Sequence, residues 1–298
     1  MTGPPPDWQQ DFLSRHRLSA AYLDLALKWF VPVGQLLAEH QVGAGRPLLV
    51  GVNGSQGSGK STLCAFLCDW LGEAHSLRAL SLSLDDFYLT RAERELLATD
   101  VHPLLATRGV PGTHDMDLLQ ETLRSLLSGQ PISVPRFDKA VDDRRPDDQW
   151  DAVTGVVDIV FLEGWCLGVG AQPAAALEQP VNALESREDP AGSWRRYVNG
   201  VLRDRFPAIH AMVQDWVMLR APSFDSVYRW RLEQESKLAQ SRSGSGIMTA
   251  EELQRFIQHY QRLTEHCLAT LPRRVNHLFS LDEERGITAY MAAPGVRQ

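Results

Sequence analysis

The chain has 298 residues, of which 44% are hydrophobic and 22% are charged, and its formal net charge at pH 7 is -7. This composition excludes an intrinsically disordered chain, a collagen and a disulfide scaffold, because apolar residues are ample, the 22 glycines show no fixed period and only 4 cysteines occur. The acidic balance argues against binding to duplex nucleic acid but leaves small anionic partners open. The 30 basic residues divide into 26 Arg and 4 Lys, so the positions of the lysines are informative.

The cysteines and the apolar segments indicate the compartment. No stretch of 18 apolar residues occurs, and the N-terminal residues lack the basic and apolar segments of a secretory leader. Cys64 and Cys68 are spaced for one helix face, and we expect them, with Cys166 and Cys267, to be buried free thiols. We therefore expect a cytoplasmic protein in a reducing compartment, without membrane contact.

The N-terminal part of the chain, residues 1–44, is predicted to be a helical extension packed on the main body. Its apolar residues recur at helical spacing, and Pro32 is expected to interrupt the helix. The alternation of short apolar runs and helical stretches beyond Pro47 predicts an α/β fold with a mostly parallel β-sheet and helices on both faces, in a single domain spanning 1–298. The predicted strands are residues 48–52, 79–84, 156–162, 216–219 and 278–281, and the first helix among them is 63–71.

Two segments have loop composition. Residues 171–192 are rich in Ala, Pro, Glu and Asn, which predicts a loop that could contain a short helix. Residues 241–246 read SRSGSG, and Thr249 with Glu252 then forms a capping-box pattern that opens a helix ending before Pro272. Residues 241–271 could therefore form a lid loop and helix, with a plain surface loop as the alternative.

The most specific motif lies between the first predicted strand and the helix that follows it. The sequence GSQGSGKST matches GxxxxGK[ST], the pattern of a phosphate-binding loop. Glycines let the chain turn tightly and bring backbone N–H groups to phosphate oxygens. Lys60 is expected to place a catalytic positive charge at the β and γ phosphates, and Ser61 to offer a hydroxyl to Mg²⁺. The predicted nucleotide-binding residues are Gly54, Ser55, Gln56, Gly57, Ser58, Gly59, Lys60, Ser61 and Thr62.

The helix after the loop supports this site. Its apolar residues recur at i, i+3, i+4, i+7 and i+8 from Leu63 to Leu71, so one face is buried and the positive end of the helix dipole faces the anion. The loop alone is compatible with a kinase, a GTPase, a motor or a regulatory ATPase. The chain contains no NKxD tetrapeptide, which argues against a guanine-reading GTPase.

Acidic residues at two strand ends narrow the class. The second predicted strand, expected beside the strand of the phosphate loop, runs into Asp85 and Asp86. A carboxylate there could accept the proton of an attacking hydroxyl, with a capped turn as the alternative. The third predicted strand ends at Glu163, which suits a Mg²⁺ partner reached through water. These positions are compatible with transfer of a phosphoryl group to a hydroxyl.

Several segments carry a family resemblance. With GSQGSGKST, the segments SLDDFYLT, RGVPGTHD, PRFDKAVDDR and LEGWCLG resemble the P-loop small-molecule kinases related to uridine kinase, phosphoribulokinase and bacterial pantothenate kinase. Within that superfamily they resemble the plant-type D-glycerate 3-kinases and their bacterial kinase-like relatives, over most of the chain from Arg46 to about Leu281. The resemblance implies a nucleoside monophosphate kinase-like P-loop architecture. It also implies an ATP- and Mg²⁺-dependent kinase of a small, anionic hydroxyl compound, with D-glycerate, phosphorylated at its 3-position, as the best candidate.

The resemblance assigns roles to individual positions. By its place in the DxFY pattern, Asp85 rather than Asp86 matches the catalytic base, and Glu163 takes the Mg²⁺-linked place beside Ser61. Residues 108–115 and 135–139 match acceptor-binding segments, where a bidentate Arg would suit the carboxylate of glycerate. The candidate substrate residues are Arg108, Thr113, His114, Asp115, Arg136, Asp138, Lys139 and Arg144.

Other acceptors stay open, namely pantothenate, a nucleoside or a sugar phosphate, the last because the acceptor segments carry several cations. Outside the small-molecule kinases, the alternative is a regulatory P-loop NTPase. Arg229, Arg231 and Arg242 are further candidates to neutralise the transferring phosphoryl group, with a solvated helix face as the alternative. The sequence does not indicate an oligomeric state.

Overall fold

The computed structural model of the chain describes residues 7–241 and 249–293. The α-helices in these ranges are α1 (Asp7–His16), α2 (Ala20–Ala44), α3 (Lys60–His75), α4 (Arg91–Asp100), α5 (Met116–Leu127), α6 (Ala183–Glu188), α7 (Ser193–Asp204), α8 (Phe206–His210), α9 (Phe224–Ser241) and α10 (Ala250–Thr270). The strands are β1 (Leu48–Gly54), β2 (Ala79–Ser83), β3 (Ile132–Val134), β4 (Phe137–Asp138), β5 (Asp143–Arg144), β6 (Asp151–Val153), β7 (Ile159–Gly164), β8 (Asp215–Arg220), β9 (His277–Leu281) and β10 (Ile287–Ala292).

Six of these strands form the central sheet, in the order β10-β9-β8-β1-β7-β2. Within this sheet, the pairs β2–β7, β7–β1, β1–β8 and β8–β9 are parallel. The edge strand β10 pairs antiparallel with β9. Every residue of β1 and β7 is buried, which explains why these strands read as continuous apolar runs. Two small antiparallel pairs, β3 with β6 and β4 with β5, lie outside the sheet. The predicted α/β fold with a mostly parallel sheet is confirmed.

The strand order corrects one expectation about the site. The strand that leads to Asp85, β2, does not lie beside β1, because β7 occupies that place and pairs with both. The register aligns Glu163 of β7 with Val52 of β1 on one side and with Ser83 of β2 on the other. Glu163 therefore reaches the phosphate loop from the adjacent strand, and Asp85 from the strand beyond it.

The N-terminal extension is helical as predicted, but its break lies elsewhere. Pro32 is inside α2, which continues to Ala44. The chain breaks instead between α1 and α2, where Arg17 adopts a left-handed φ of 53°. Proline removes only one hydrogen bond from a helix, and burial of the α2 face that includes Phe30 and Leu37 offsets this cost. Helix α2 packs on α3, so the extension lies directly against the helix of the phosphate loop.

Two further element boundaries can be compared with the sequence. The third predicted strand begins at Ile159 rather than at residue 156, because Gly155 turns the chain with a φ of 77° and leaves Val156 60% exposed. Helix α10 opens with the predicted capping box of Thr249 and ends before Pro272, as predicted. Residues 171–192 contain α6 and a 3₁₀ turn, and residues 242–246 of the predicted lid tract lie outside the described residues.

The cysteines follow the prediction with one exception. Cys64, Cys166 and Cys267 are buried, whereas Cys68 is partly exposed. Burial raises the pKa of the Cys166 thiol well above its ordinary value, so this thiol stays protonated at neutral pH. Within the ranges that the structure covers, no helix has the length and apolar character needed to cross a bilayer.

Candidate active site

The phosphate loop joins the C-terminal end of β1 to the N-terminus of α3. Gly57 and Gly59 have φ angles of 78° and 92°, in the left-handed region that glycine adopts without strain. A Cβ at Gly54 would lie 2.5 Å from Oγ of Ser58, so a side chain there would force Ser58 to move. The local backbone therefore requires the glycines of the motif.

The N-cap residue of α3 is Gly59, and among the described residues no side-chain cap bond is found at this helix end. The first backbone N–H groups of the helix are thus available to an anion, and the helix dipole favours negative charge at this end. Within the part of the chain that is described, the buried hydroxyls of Ser55 and Ser58 also lack a hydrogen-bond partner. Unpaired buried polar groups around a glycine-rich loop fit the phosphate oxygens of a nucleotide.

Lys60, Ser61 and Glu163 form a cluster at the base of this loop. Oγ of Ser61 donates a hydrogen bond of 2.7 Å to Oε1 of Glu163, and Nζ of Lys60 lies 3.5 Å from Oε2 of the same carboxylate. Burial alone lowers the pKa of Lys60, but the carboxylates of Glu163 and Asp85 outweigh it and raise that pKa above its ordinary value. The lysine ammonium therefore stays charged at neutral pH.

The hydroxyl of Ser61 and the carboxylate of Glu163 are also a donor set that fits Mg²⁺. This ion takes oxygen ligands and keeps several of its waters. Glu163 is only 4% exposed, and its Oε2 makes no hydrogen bond among the described residues beyond the 3.5 Å ion pair with Lys60. The two groups lie side by side, next to the loop whose geometry suits phosphates, so the residues present fit the metal that the sequence predicts.

Asp85 lies in the 3₁₀ turn Leu84–Phe87 that follows β2. Its Oδ1 accepts a hydrogen bond of 2.8 Å from the hydroxyl of Tyr88, and its Oδ2 accepts one of 2.6 Å from Nζ of Lys139. Burial alone raises the pKa of Asp85, but the charges of Lys139 and Lys60 outweigh it and hold that pKa well below its usual range. The carboxylate is ionised at neutral pH, as a proton acceptor must be.

The neighbouring carboxylate, Asp86, holds two segments of the chain together instead. Its Oδ2 accepts a hydrogen bond of 2.7 Å from Arg136, and its Oδ1 accepts one of 3.1 Å from the backbone N–H of Phe137. Burial raises the pKa of Asp86 above its ordinary value despite these bonds. Asp86 therefore ties the second acceptor segment to the end of β2, and the two adjacent carboxylates have different environments.

The first acceptor segment, residues 108–115, packs against the turn that holds Asp85. Oγ1 of Thr113 donates to the carbonyl of Val110 at 2.8 Å and accepts from the N–H of Gly109 at 3.0 Å, so it shapes the segment from within. Oδ1 of Asp115 accepts from a backbone N–H at 3.0 Å and caps α5. Both predicted substrate residues are thus engaged in holding the segment.

His114 is the member of this segment whose polar atoms are not engaged. Its ring is buried and stacks on Tyr88, with 4.5 Å between the ring centroids. Neither ring nitrogen has a hydrogen-bond partner within the described ranges. Burial lowers the pKa of His114 to about 4, so the ring is neutral at pH 7. His114 thus lies beside Tyr88, which hydrogen-bonds Asp85. Its neutral imidazole is suited to hydrogen-bond the substrate that accepts the phosphoryl group.

The four predicted substrate cations each face carboxylates of the protein itself. Their partners are Asp142 for Arg108, Asp86 and Asp151 for Arg136, Glu93 and Asp115 for Arg144, and Asp85 for Lys139. The three arginines therefore hold the acceptor segments together, whereas Lys139 contacts the candidate base. The eighth predicted residue, Asp138, accepts a hydrogen bond of 2.9 Å from the N–H of Ala140 inside the turn that carries Lys139.

An open groove of about 470 Å³ lies at the end of the first acceptor segment, and Asp115 and Arg144 line it. Its other walls include Thr90, which caps α4, and Trp150. The structure therefore brings two of the predicted substrate residues to one groove. Asp85 and Lys139, which contact each other at the end of β2, are not among its lining residues.

Sequence reasoning missed three buried residues, two that hold the first acceptor segment and one that holds the loops beside it. Nε1 of Trp165 donates to the carbonyl of Gly109 at 2.9 Å, and the hydroxyl of Tyr260 donates to the carbonyl of Arg108 at 3.1 Å. Arg94, only 1% exposed, donates to three backbone carbonyls, those of Leu89, Ala106 and Asp142. The contacts of Trp165 and Tyr260, and that of Arg94 with Asp142, join residues far apart in the chain. No local spacing could have indicated these, although Trp165 directly follows the Glu163 motif.

Two of the three arginines that could neutralise the transferring phosphoryl group lie on the described part of α9. Arg229 pairs with Glu283 at 3.0 Å and is exposed on α9. Arg231 lies over the ring of Phe256, 5.9 Å from its centroid. Arg242 falls outside the described residues.

Comparisons with known proteins agree with this geometry. The profile of the phosphoribulokinase / uridine kinase family matches residues 49–175. An uncharacterised kinase of Schizosaccharomyces pombe is 36% identical over 241 residues, covering 78% of this chain and 85% of that protein. The chloroplastic D-glycerate 3-kinase of Arabidopsis thaliana is 32% identical, and the match covers 80% of this chain and 53% of the plant protein. The solved D-glycerate 3-kinase of Cryptococcus neoformans superposes with a TM-score of 0.73 at 27% identity, covering 88% of this chain and 98% of that one.

The fold, the phosphate loop and these relatives define the class: the protein is an ATP-dependent kinase of small molecules. The chain belongs to the phosphoribulokinase / uridine kinase family.

Proposed function

We propose that this kinase transfers the γ-phosphate of ATP to the 3-hydroxyl of D-glycerate. The observation that carries the proposal is the 2.6 Å contact between Nζ of Lys139 and Oδ2 of Asp85. It places a cation within one hydrogen bond of the base, so the preferred acceptor has an anionic group only a few atoms from its reacting hydroxyl. Glycerate has that shape, and two of the relatives are named as D-glycerate 3-kinases.

The same contact separates glycerate from the other acceptors. The carboxylate of pantothenate lies far along the molecule from its reacting hydroxyl, and uridine carries no carboxylate. Ribulose 5-phosphate presents a doubly charged phosphate, which calls for several free cations. Arg108, Arg136 and Arg144 are each paired with protein carboxylates, and only the exposed Lys139 is proposed to change partner, which favours a singly charged acceptor.

The chemical step then assigns a task to each residue. The acceptor oxygen forms a bond to the γ-phosphorus, the bond from that phosphorus to the β–γ bridging oxygen breaks, and ADP leaves. Asp85 takes the proton of the hydroxyl, while Lys60 and the N–H groups at the start of α3 hold the phosphates. When the acceptor binds, Lys139 releases Asp85 and pairs with the acceptor carboxylate. Its side chain, 61% exposed on the β4–β5 turn, is free to make this change.

Mg²⁺ would be held by Ser61 and by Glu163, the latter through water, and would neutralise the developing charge on the phosphate oxygens when bound. Glu163 also keeps Lys60 in place through their 3.5 Å contact. His114 supplies a neutral hydrogen-bonding edge near the acceptor.

The test is ADP release from ATP and Mg²⁺ with D-glycerate, pantothenate, uridine, ribulose 5-phosphate and glycerol. We expect D-glycerate to give the largest kcat/KM, and glycerol, which differs in lacking the carboxylate, to be poor. Lys139→Met should reduce the preference for glycerate over glycerol, whereas Lys139→Arg should retain part of it. A faster rate with another acceptor, or hydrolysis that is equally fast without one, would contradict the proposal.

A further inference from the structure

A cavity of about 230 Å³ adjoins the phosphate loop. It shares no lining residue with the open groove that Asp115 and Arg144 line. Four of its lining residues come from the N-terminal extension, namely Leu18, Tyr22, Leu25 and Phe30. The loop and the first turn of α3 contribute further walls, and the strand ends of β8 and β9 with the start of β10 complete it. The extension therefore forms one wall of a space that opens at the phosphate loop.

The first turn of α3 separates this cavity from the catalytic cluster. Ser61 and Thr62 are adjacent in the helix, so their side chains project about 100° apart. The hydroxyl of Ser61 contacts Glu163, whereas Thr62 lines the cavity. A ligand with phosphates in the loop can therefore extend into the cavity while its terminal phosphate stays near Asp85.

The chemistry of the walls suits a flat, largely apolar ring with a polar edge. Most of the lining side chains are aliphatic or aromatic, among them Leu219, Leu281 and Ile287. Within the described residues, the hydroxyl oxygen of Tyr22 is buried and has no hydrogen-bond partner. Buried hydroxyls are usually paired, so this unsatisfied group in an apolar cavity indicates a missing polar partner.

Arg285 connects the cavity to the phosphate loop. It lines the cavity, and its Nε donates a hydrogen bond of 3.0 Å to the carbonyl of Gly57. Its guanidinium also lies over the ring of Trp230, 5.4 Å from the centroid. The cavity and the loop thus share a fixed wall, as expected if one ligand occupies both.

We propose that this cavity binds the base of ATP, that the N-terminal helices close it, and that the Tyr22 hydroxyl hydrogen-bonds the polar edge of the adenine. The extension is then part of the nucleotide site and contributes to the choice of base. This inference rests on the kinase activity of the family and does not depend on glycerate being the acceptor.

The experiment is calorimetric titration of the full chain with two probes, ADP and inorganic tripolyphosphate, which has phosphates but no base. Tyr22→Phe should weaken ADP binding about three- to tenfold, the scale of one hydrogen bond, and leave tripolyphosphate binding unchanged. Leu25→Trp, which fills the cavity, should weaken ADP binding by at least about tenfold and again spare tripolyphosphate. Tyr290→Phe is the matched control, because its hydroxyl bonds His277 at 2.9 Å outside the cavity.

The paired probes separate this proposal from the rest of the account. Unchanged ADP affinity in both Tyr22→Phe and Leu25→Trp would overturn the assignment of the cavity, and so would equal losses for the two probes in Tyr22→Phe. ADP release with D-glycerate reports separately on the acceptor, so failure of the glycerate proposal would leave the titration result intact.

Discussion

Lysine is scarce in this chain, and two of its four lysines interact electrostatically with the carboxylate of Asp85. Lys139 donates to this carboxylate directly, and Lys60 lowers its pKa from the phosphate loop. In a chain that otherwise uses Arg, we expect the buried Lys60 to need a compact ammonium rather than a planar fork, whereas the exposed Lys139 is the case to test. The individual site residues are therefore best tested by exchanging Lys for Arg and for a neutral side chain.

The first residue-scale prediction concerns Lys60→Arg. The larger planar group cannot occupy the buried space beside Glu163 in the same geometry, so we expect kcat to fall by about 10² or more, the scale of a lost preorganised charge contact. Steady-state ADP release measures this, with Lys28→Arg on α2 as a control that should leave the rate unchanged. A rate for Lys60→Arg within about threefold of the parent would show that a point charge is not needed there.

The second residue-scale prediction concerns pH. The pKa of Asp85 is depressed in the folded protein, so the wild-type carboxylate stays ionised as pH falls well below neutrality. Lys139→Met removes the largest of the charges that lower this pKa, and the acid limb of kcat/KM should therefore move to higher pH. Lys139→Arg keeps a positive charge and should leave the limb where it is. Identical pH profiles for Lys139→Met and the wild type would contradict the electrostatic account.

At the scale of elements, aromatic packing fixes the N-terminal helix α1 to α3, the helix that follows the phosphate loop. Phe12 of α1 is fully buried and lies edge-on to Phe66 of α3, with 5.6 Å between centroids. Phe12→Ala should therefore lower the free energy of unfolding by about 3–5 kcal/mol. Urea unfolding measures this, with Leu27→Ala on α2, 41% exposed, as a control expected within about 0.5 kcal/mol. A loss below about 1 kcal/mol would mean that α1 is only loosely attached.

Element prediction from the sequence succeeded where the pattern was strong and local. The buried strands β1 and β7, the helix α3 and the capping box of α10 could all be predicted, because each depends on neighbouring residues. The position of β2 was wrong, because strand order is set by long-range pairing with β7 that no local pattern encodes. The break at Arg17 was missed since Pro32 is the more conspicuous helix breaker, although burial of α2 outweighs its cost.

At the scale of the whole molecule, the site is assembled from segments that are distant in the sequence. The motif predicted the phosphate loop, and the strand-end pattern predicted acidic residues near it. The contacts of Ser61 with Glu163 and of Lys139 with Asp85 were not predicted individually. The contacts of Trp165, Tyr260 and Arg94 could not be predicted, because they depend on how the acceptor segments fold over the sheet. The arginine pairings were likewise hidden, since a sequence does not show which carboxylate faces which cation.

The central claim is that Asp85 accepts the proton of a D-glycerate hydroxyl as the γ-phosphate is transferred. The most direct measurement is transfer of label from [γ-³²P]ATP to D-glycerate, with separation of the phosphoglycerate product, by the wild type and by Asp85→Asn. The account predicts labelled 3-phosphoglycerate from the wild type, and from Asp85→Asn a rate lower by about 10²–10⁴ at nearly unchanged ATP affinity. Equal rates of labelling by the two proteins, or no labelled glycerate from the wild type, would contradict it.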